Sequence, residues 1–237
     1  MIEFKNVTKS YSNGDIVIDD IDLEVNPGDF LIITGKSGAG KTTLGRLLIR
    51  DLIPTKGKII FDGEDISKIP NSKVPLLRRK IGFIFQDFKI IPDKTIAENI
   101  AIALEIAGYN PNKIQEKVNR LLDTVGLPKK GSLFPLQLAG GEIQRASIAR
   151  AIAADPQVLF ADEPTGNLDE ATSIEIFDLL KKINADGTTI IMSTHDTTLI
   201  GLHKARQVVL KEGKIVSDTK TTKSKDKEIQ KKDKKTK

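Results

Sequence analysis

The sequence contains no cysteine among its 237 residues, so it can form neither a disulfide framework nor a thiolate metal site. The lack of cysteine fits a reducing compartment without requiring one. No apolar run approaches the roughly 18 residues that a membrane-spanning helix needs. The charged, alternating start resembles a strand and not a signal peptide. We therefore expect one globular domain of ordinary core size, with any membrane association being peripheral.

The positive charge of the chain is concentrated at its carboxyl end. The formal net charge is +5, and between Thr219 and Lys237 nine lysines accompany three acids, which gives that segment +6. Residues 1–218 therefore carry about −1, a distribution that argues against nucleic-acid binding. We predict a disordered, Lys-rich tail over 218–237, because that segment has almost no apolar residues to bury. The tail would be either solubilising or weakly attracted to anionic lipid headgroups.

The order of predicted elements indicates an α/β protein. Short apolar or alternating runs predict strands at 2–7, 16–25, 29–35, 58–61, 81–85, 158–161 and 189–192. Helical spacing and capping residues predict helices at about 41–51, 95–107, from 111 onward and 171–183. Apolar strands alternating with helices predict a mostly parallel sheet, and the helical residues from about 87 to 154 predict an inserted second lobe.

One glycine-rich segment has the pattern of a phosphate-binding loop. It fits G-x-x-x-x-G-K-[ST], follows an apolar strand and precedes a predicted helix, and it reads Gly35-Lys36-Ser37-Gly38-Ala39-Gly40-Lys41-Thr42, followed by Thr43. Glycine allows the backbone to turn its N–H groups inward, and the helix presents its positive end to the same phosphates. Lys41 would reach the β- and γ-phosphates, and the Thr42 hydroxyl would bind Mg²⁺. A chance match in such a chain occurs on the order of one time in a hundred.

Polar residues follow three of the other predicted strands. Asp162 and Glu163 end the strand at 158–161, at the sheet edge where parallel sheets bind ligands. Asp162 would hold Mg²⁺ through water, and Glu163 is the candidate general base that orients the attacking water. His195 would donate a hydrogen bond to a γ-phosphate. Gln86 is a candidate ligand of the metal or of water, although surface glutamines are seldom functional on their own.

Six features in this order resemble the nucleotide-binding domain of ABC transporters, over about residues 1–217. They are Tyr11 before the phosphate loop, GKSGAGKT, Gln86 in FQDF, LAGGE (Leu138–Glu142), FADE with Gly-Asn-Leu-Asp169, and His195. LAGGE, about twenty residues before the acid pair, is the element that separates this family from other phosphate-loop ATPases. The resemblance implies an ABC-type domain over 1–217, with a mostly parallel core, an antiparallel β subdomain and an inserted helical subdomain at about 87–154.

The resemblance also implies a working mechanism. Two copies would form a homodimer that sandwiches two ATP molecules with Mg²⁺, each site combining the phosphate loop of one copy with the signature segment of the other. Tyr11 would stack on adenine, although core packing is an alternative for it. The implied catalytic residues are Lys41, Gln86, Glu163 and His195, and the implied metal ligands are Thr42, Gln86 and Asp162. Nucleotide contacts are implied for Tyr11, for 35–43, for Gln86, for Leu138, Ala139, Gly140, Gly141 and Glu142, and for Asp169.

One residue departs from the family pattern. Ala139 stands where the family usually has a serine whose hydroxyl contacts the partner's γ-phosphate. Losing that contact would weaken the closed dimer by about 0.5–1.5 kcal/mol or more. We therefore expect slower or partner-dependent turnover.

Within the family, the stretches 74–82, 83–100 and 134–138 are most similar to members that act in bacterial cell division. That similarity implies an integral membrane subunit of the FtsX type as partner, on the cytoplasmic face of the plasma membrane, and control of cell-wall hydrolases without a transported substrate. Three alternatives remain open: an ATPase of lipoprotein release or macrolide export, an ATP-binding adaptor that recruits division proteins, and a soluble ABC protein of DNA repair or translation. The last is disfavoured because the chain lacks a long coiled-coil insertion and a second ATPase domain.

Overall fold

Ten strands form two sheets in the computed structural model, which describes residues 1–12, 14–196 and 205–220. The strands are β1 (Ile2–Ser10), β2 (Ile16–Val25), β3 (Phe30–Thr34), β4 (Lys56–Phe61), β5 (Glu64–Asp65), β6 (Ile81–Ile84), β7 (Val158–Asp162), β8 (Thr189–Thr194), β9 (Arg206–Lys211) and β10 (Lys214–Asp218). The α-helices are α1 (Lys41–Leu48), α2 (Val74–Arg79), α3 (Ile96–Ala107), α4 (Pro111–Thr124), α5 (Gly140–Ile152) and α6 (Glu170–Ala185).

The six-stranded sheet is parallel except at one edge. Its strand order is β10-β9-β3-β8-β7-β6, and only β10 runs antiparallel to its neighbour. The carboxyl ends of β3, β6, β7 and β8 therefore meet along one edge, which is where parallel sheets bind ligands. The predicted mostly parallel α/β core is confirmed.

Both faces of this sheet are covered, as the unbroken apolar runs require. Leu31 and Ile33 of β3 face one hydrophobic core, which includes α1 and the second sheet. Ile32, between them, faces the other core, which is built largely by α3 to α6. Alternate side chains of one strand thus hold the two halves of the molecule on opposite faces of the sheet.

The second sheet has the order β2-β1-β4-β5 and is entirely antiparallel. Helices α3, α4 and α5 lie between β6 and β7 in the chain, within the segment predicted to be a helical insertion. The predicted capping box is present, since the Glu98 amide donates to Thr95 Oγ1 (3.2 Å) and the Thr95 amide donates to Glu98 Oε2 (2.7 Å). Asn110 caps α4 as predicted. None of the helices in the described part of the chain has the length and apolar character to cross a bilayer.

Sequence reasoning missed the hairpin of β9 and β10. Glu212 and Gly213 form its two-residue turn with φ of 49° and 76°, and the Glu-Gly pair between alternating apolar residues was a usable signal for it. The predicted domain boundary at 217/218 falls at the end of β10, where Arg206 Nη2 lies 2.6 Å from Asp218 Oδ2. The rest of the predicted tail, 221–237, lies outside the described residues.

Candidate active site

A pocket of about 460 Å³ opens at the carboxyl edge of the parallel sheet. Four segments that are distant in sequence contribute to it, together with β2. Its lining residues are Val17, Lys36, Ser37, Gly38, Gly40, Lys41, Thr42, Thr43, Gln86, Glu163 and His195. The structure thus brings together the predicted phosphate loop, the predicted base, and the predicted polar residues Gln86 and His195. These two follow β6 and β8, the strands on either side of β7.

The phosphate loop joins β3 to α1 and depends on two glycines. Gly40 caps α1 with a φ of 105°, a backbone conformation that other residues rarely adopt. A Cβ on Gly35 would lie 2.4 Å from the Leu210 carbonyl oxygen, so only glycine lets β9 approach the loop this closely. The first amides of α1 have no acceptor within their own helix. They and the positive end of α1 therefore suit the pocket for an anion.

Lys41 is the buried cation of the pocket, with a side chain that is only 6% exposed. Its ammonium donates to the carbonyl oxygens of Gly35 (2.7 Å) and Lys36 (3.3 Å) and lies 3.1 Å from Glu163 Oε1. The carbonyl groups of the loop therefore hold the ammonium at the pocket, and the Glu163 carboxylate balances its charge.

Glu163 follows β7 in a left-handed conformation (φ 48°), which is strained for a residue with a side chain. Its Oε2 lies 2.8 Å from His195 Nδ1 and accepts a 3.3 Å bond from the His195 amide. Because a carboxylate only accepts, His195 Nδ1 carries the proton in this contact. The histidine ring, 63% exposed, thus orients the predicted base, a role that its position in the sequence did not suggest.

Asp162 is buried, and Ser193, which sequence reasoning did not assign, holds its carboxylate in place. Ser193 of β8 donates to Asp162 Oδ1 (2.6 Å), and its hydroxyl oxygen accepts from the Glu163 amide (3.0 Å). Ser193 pairs with Asp162 across the sheet, a register that no local sequence signal reveals. One hydroxyl thus holds both acids of the predicted pair.

The other predicted nucleotide contacts lie outside this pocket. Tyr11 is 39% exposed, with Lys9 Nζ 5.7 Å from its ring centre. Leu138–Glu142 surround the start of α5 and do not contribute to the pocket lining. Asp169 caps α6 by accepting from the Thr172 amide (3.0 Å), and its hydrogen bonds to Thr172 lower its pKa. A single copy therefore holds the phosphate loop and the signature segment apart.

Comparison with known proteins identifies the arrangement. Residues 18–166 match the family model described as ABC transporter, well over half of the chain. The chain belongs to the ABC transporter family. Curated relatives of this ABC protein include the cell division ATP-binding protein FtsE of Bacillus subtilis (45% identical, covering 92% of this chain and 96% of that one). FtsE of Streptococcus pneumoniae is 46% identical over 92% of this chain and 95% of its own.

Solved ABC structures agree with these relatives. A dimeric post-hydrolysis state of the ATP-binding cassette MJ0796, bound to ADP and Pi, superposes with a TM-score of 0.84 at 33% identity, covering 92% of this chain and 97% of that one. The predicted family, its ABC-type fold and its ATPase class are confirmed, as is the similarity to cell-division members. This ABC protein is thus an ATP-binding ATPase, while the individual site residues remain predictions.

The double contact of Ser193 yields a test of how the acid pair is held. Ser193→Ala should lower the free energy of unfolding by roughly 1–3 kcal/mol, because it leaves a buried carboxylate without its donor. Urea unfolding followed by circular dichroism measures this change. Ser217→Ala, at an exposed position of β10, should change stability by less than about 0.5 kcal/mol. Equal stability of the two variants would contradict the role given to Ser193.

Proposed function

We propose that two copies of this chain bind two ATP molecules between them and hydrolyse them to drive a membrane subunit in bacterial cell division. The observation that carries the proposal is the Lys41 ammonium 3.1 Å from the Glu163 carboxylate, at the point where the amino end of α1 opens into the pocket. A phosphate-binding cation and a candidate base share one site there, as ATP hydrolysis requires.

The charges of the pocket suggest how hydrolysis proceeds. The amides of α1 and Lys41 stabilise the negative charge of the terminal phosphate, because Lys41 can contact phosphate oxygens in place of the carboxylate. Glu163 then accepts a hydrogen bond from a water molecule and orients it toward the γ-phosphorus. His195 keeps the carboxylate in position through its Nδ1. By its place in the pocket it is also the proposed donor to the γ-phosphate through Nε2, a role that requires the imidazolium form, in which both ring nitrogens carry protons.

A magnesium ion fits the donor set at this edge. Thr42, Gln86 and Asp162 offer a hydroxyl, an amide carbonyl and a carboxylate, the hard oxygen donors that Mg²⁺ prefers. Thr42 and Gln86 line the pocket directly, whereas Asp162 is buried and is not one of its lining residues. We propose that these three residues hold the ion, Asp162 through water. When bound, the ion neutralises phosphate charge.

The position of the signature segment favours a dimer. Ala139 and Gly140 are exposed at the start of the 13-residue helix α5, away from the pocket of their own copy. Their amides and the helix end are available to a phosphate held by another copy. A dimeric cassette among the structural relatives supports the same arrangement. Tyr11 and Asp169 are proposed to complete the nucleotide contacts, with Tyr11 stacking on adenine.

Two substitutions test the division of labour in the pocket. Glu163→Gln should retain ATP binding and lose hydrolysis by at least roughly a hundredfold, because the base is removed while the cation stays. Lys41→Ala should lose ATP binding. Nucleotide titration and phosphate release measure the two effects, with Lys214→Ala as a surface control. Parent-level turnover by Glu163→Gln, or parent-level ATP affinity in Lys41→Ala, would refute the proposal.

The alanine of the signature segment gives a second test. In the Glu163→Gln background, Ala139→Ser should strengthen ATP-dependent dimerisation by at least roughly twofold per site, because a hydroxyl is restored toward the phosphate. Analytical ultracentrifugation with ATP measures this change.

Serine is also a better helix cap than alanine by about 0.5–2 kcal/mol. Thermal unfolding without nucleotide separates that contribution, and Ala171→Ser, at an exposed position of α6, is the control. Dimerisation that Ala139→Ser leaves unchanged would contradict the trans contact.

A second cavity offers a place for the membrane subunit. It measures about 610 Å³, lies between β6, α2, α3 and α5, and includes Phe85, the residue before Gln86. Ile106, 63% exposed, contributes apolar surface, while Arg78 and Arg79 add positive charge. We propose that a cytoplasmic segment of an FtsX-type subunit docks here, because the FtsE relatives are cell division proteins and the groove adjoins the Gln86 loop. The chain would then work peripherally at the cytoplasmic face of the plasma membrane.

Co-purification tests this docking groove and the identity of the partner. Ile106→Asp should lose the membrane subunit and keep basal ATPase activity, since it places a charge in the groove at a residue that does not line the ATP pocket. Ile53→Asp, at another exposed isoleucine, should retain the subunit. Retention by Ile106→Asp would refute the groove. An export-type subunit in place of an FtsX-type one would instead favour the exporter alternative.

A further inference from the structure

The loop that follows Gln86 is held in an unusual backbone conformation. Phe88 and Lys89 are consecutive left-handed residues, with φ of 59° and 49°, although neither is glycine. Such conformations cost free energy and persist only where the surroundings enforce them. Two successive left-handed residues also leave their carbonyl groups outside any helix or strand ladder. Something else in the fold therefore has to bind these carbonyls.

The partner of both carbonyls is Arg150 near the end of α5. Its Nη1 donates to the Lys89 oxygen (2.6 Å) and its Nη2 to the Phe88 oxygen (2.9 Å), and Ser147 Oγ adds a 3.3 Å bond to Phe88. The planar guanidinium fork fits two neighbouring acceptors in one fixed geometry, whereas the ammonium of a lysine is a compact charge without such a fork. Within the described residues, no carboxylate lies within ion-pair distance of Arg150, and burial lowers its pKa. The carbonyl dipoles of the loop thus take the place of water around its charge.

The far end of the same loop is fixed by a fully buried residue. Asn99 of α3 is 1% exposed, accepts from the Ile91 amide (2.9 Å) and donates to the oxygens of Ile91 (3.1 Å) and Thr95 (3.0 Å). With Arg150 on one side and Asn99 on the other, the loop cannot shift without breaking several partly buried hydrogen bonds.

Fixing the loop also fixes Gln86 relative to the base. A Cβ on Gly166 would lie 3.9 Å from Gln86 Nε2 and 3.7 Å from Glu163 Cβ, so Gly166 adjoins both residues, and both also line the same pocket. Helix α5 contacts that side as well, since Gln144 Nε2 donates to the Pro164 oxygen (2.7 Å). Gln144, Ser147 and Arg150 recur every three residues, on one face of α5. The same helix begins at the signature segment.

We propose that Arg150 is a positioning residue for ATP hydrolysis, which holds Gln86 beside Glu163 through the carbonyls of Phe88 and Lys89. Because α5 starts at the segment proposed to meet the other copy's nucleotide, capture of that nucleotide would be transmitted along α5 to this copy's Gln86. This inference rests on the proposed function.

The first test examines the loop without requiring turnover. Amide hydrogen exchange should be at least about tenfold faster over residues 85–91 in Arg150→Ala, because the two guanidinium hydrogen bonds that hold the loop are lost. The control is Arg145→Ala on the same helix, where the guanidinium contacts Glu175 and the Val125 oxygen instead. Arg150→Lys should restore the protection only in part. Unchanged exchange in Arg150→Ala, or equal changes in Arg145→Ala, would overturn the proposal.

The second test is a double-mutant cycle with Gln86. Arg150→Ala should reduce kcat on the order of tenfold while ATP affinity stays within about twofold, because positioning is disturbed and the phosphate loop is not. In the Gln86→Ala background the same change should have little further effect, since the residue to be positioned is gone. A purely structural role would lower kcat equally in both backgrounds, and that result would refute the inference.

The two measurements keep the inference separate from the proposed function. A parent chain without ATPase activity even in the presence of its membrane subunit would refute the proposed function, and hydrogen exchange would still decide whether Arg150 holds the loop. An active parent with an unaltered loop in Arg150→Ala would refute the inference alone.

Discussion

Lys41 lies between the carbonyl oxygens of its own loop and the Glu163 carboxylate, and the rest of the site is arranged around that contact. The loop can present the ammonium only because Gly35 and Gly40 allow the backbone to pass close to β9 and β2. Glu163 can reach it only because β7 lies near β3 in the sheet, separated by β8 alone. The strand order therefore places the proposed phosphate-binding cation and the candidate base in one pocket.

Further hydrogen bonds, from elements outside the pocket, hold the residues that follow β6 and β7. Ser193 holds Asp162 and the Glu163 amide from the neighbouring strand, and Gln144 holds the segment just after them. Arg150 does the same for the loop after Gln86. These contacts come from β8 and α5, elements that supply no side chain to the phosphate loop. A movement of α5 would therefore displace both the segment after Glu163 and the loop after Gln86.

The successes and failures of sequence reasoning follow from the range of the interactions. The phosphate loop, the capping box at Thr95 and the Asn110 cap depend on neighbours within a few residues, so their patterns are visible in the chain. The hairpin of β9 and β10 was also visible in its Glu-Gly turn and was overlooked. Ser193 and Arg150 carried no such pattern, because their partners lie 31 and about 60 residues away.

By itself, the sequence determined the family, the ATPase chemistry and the positions of the loop and the acids, since a short motif fixes its own backbone and charge. Only the tertiary structure decided which residues meet. In the fold, the His195 ring contacts Glu163. Leu138–Glu142 lie outside the pocket of their own copy, and the loop after Gln86 is hydrogen-bonded to Arg150. The physical reason is that strand order and helix packing bring distant residues within hydrogen-bonding distance, and local sequence patterns do not encode those distances.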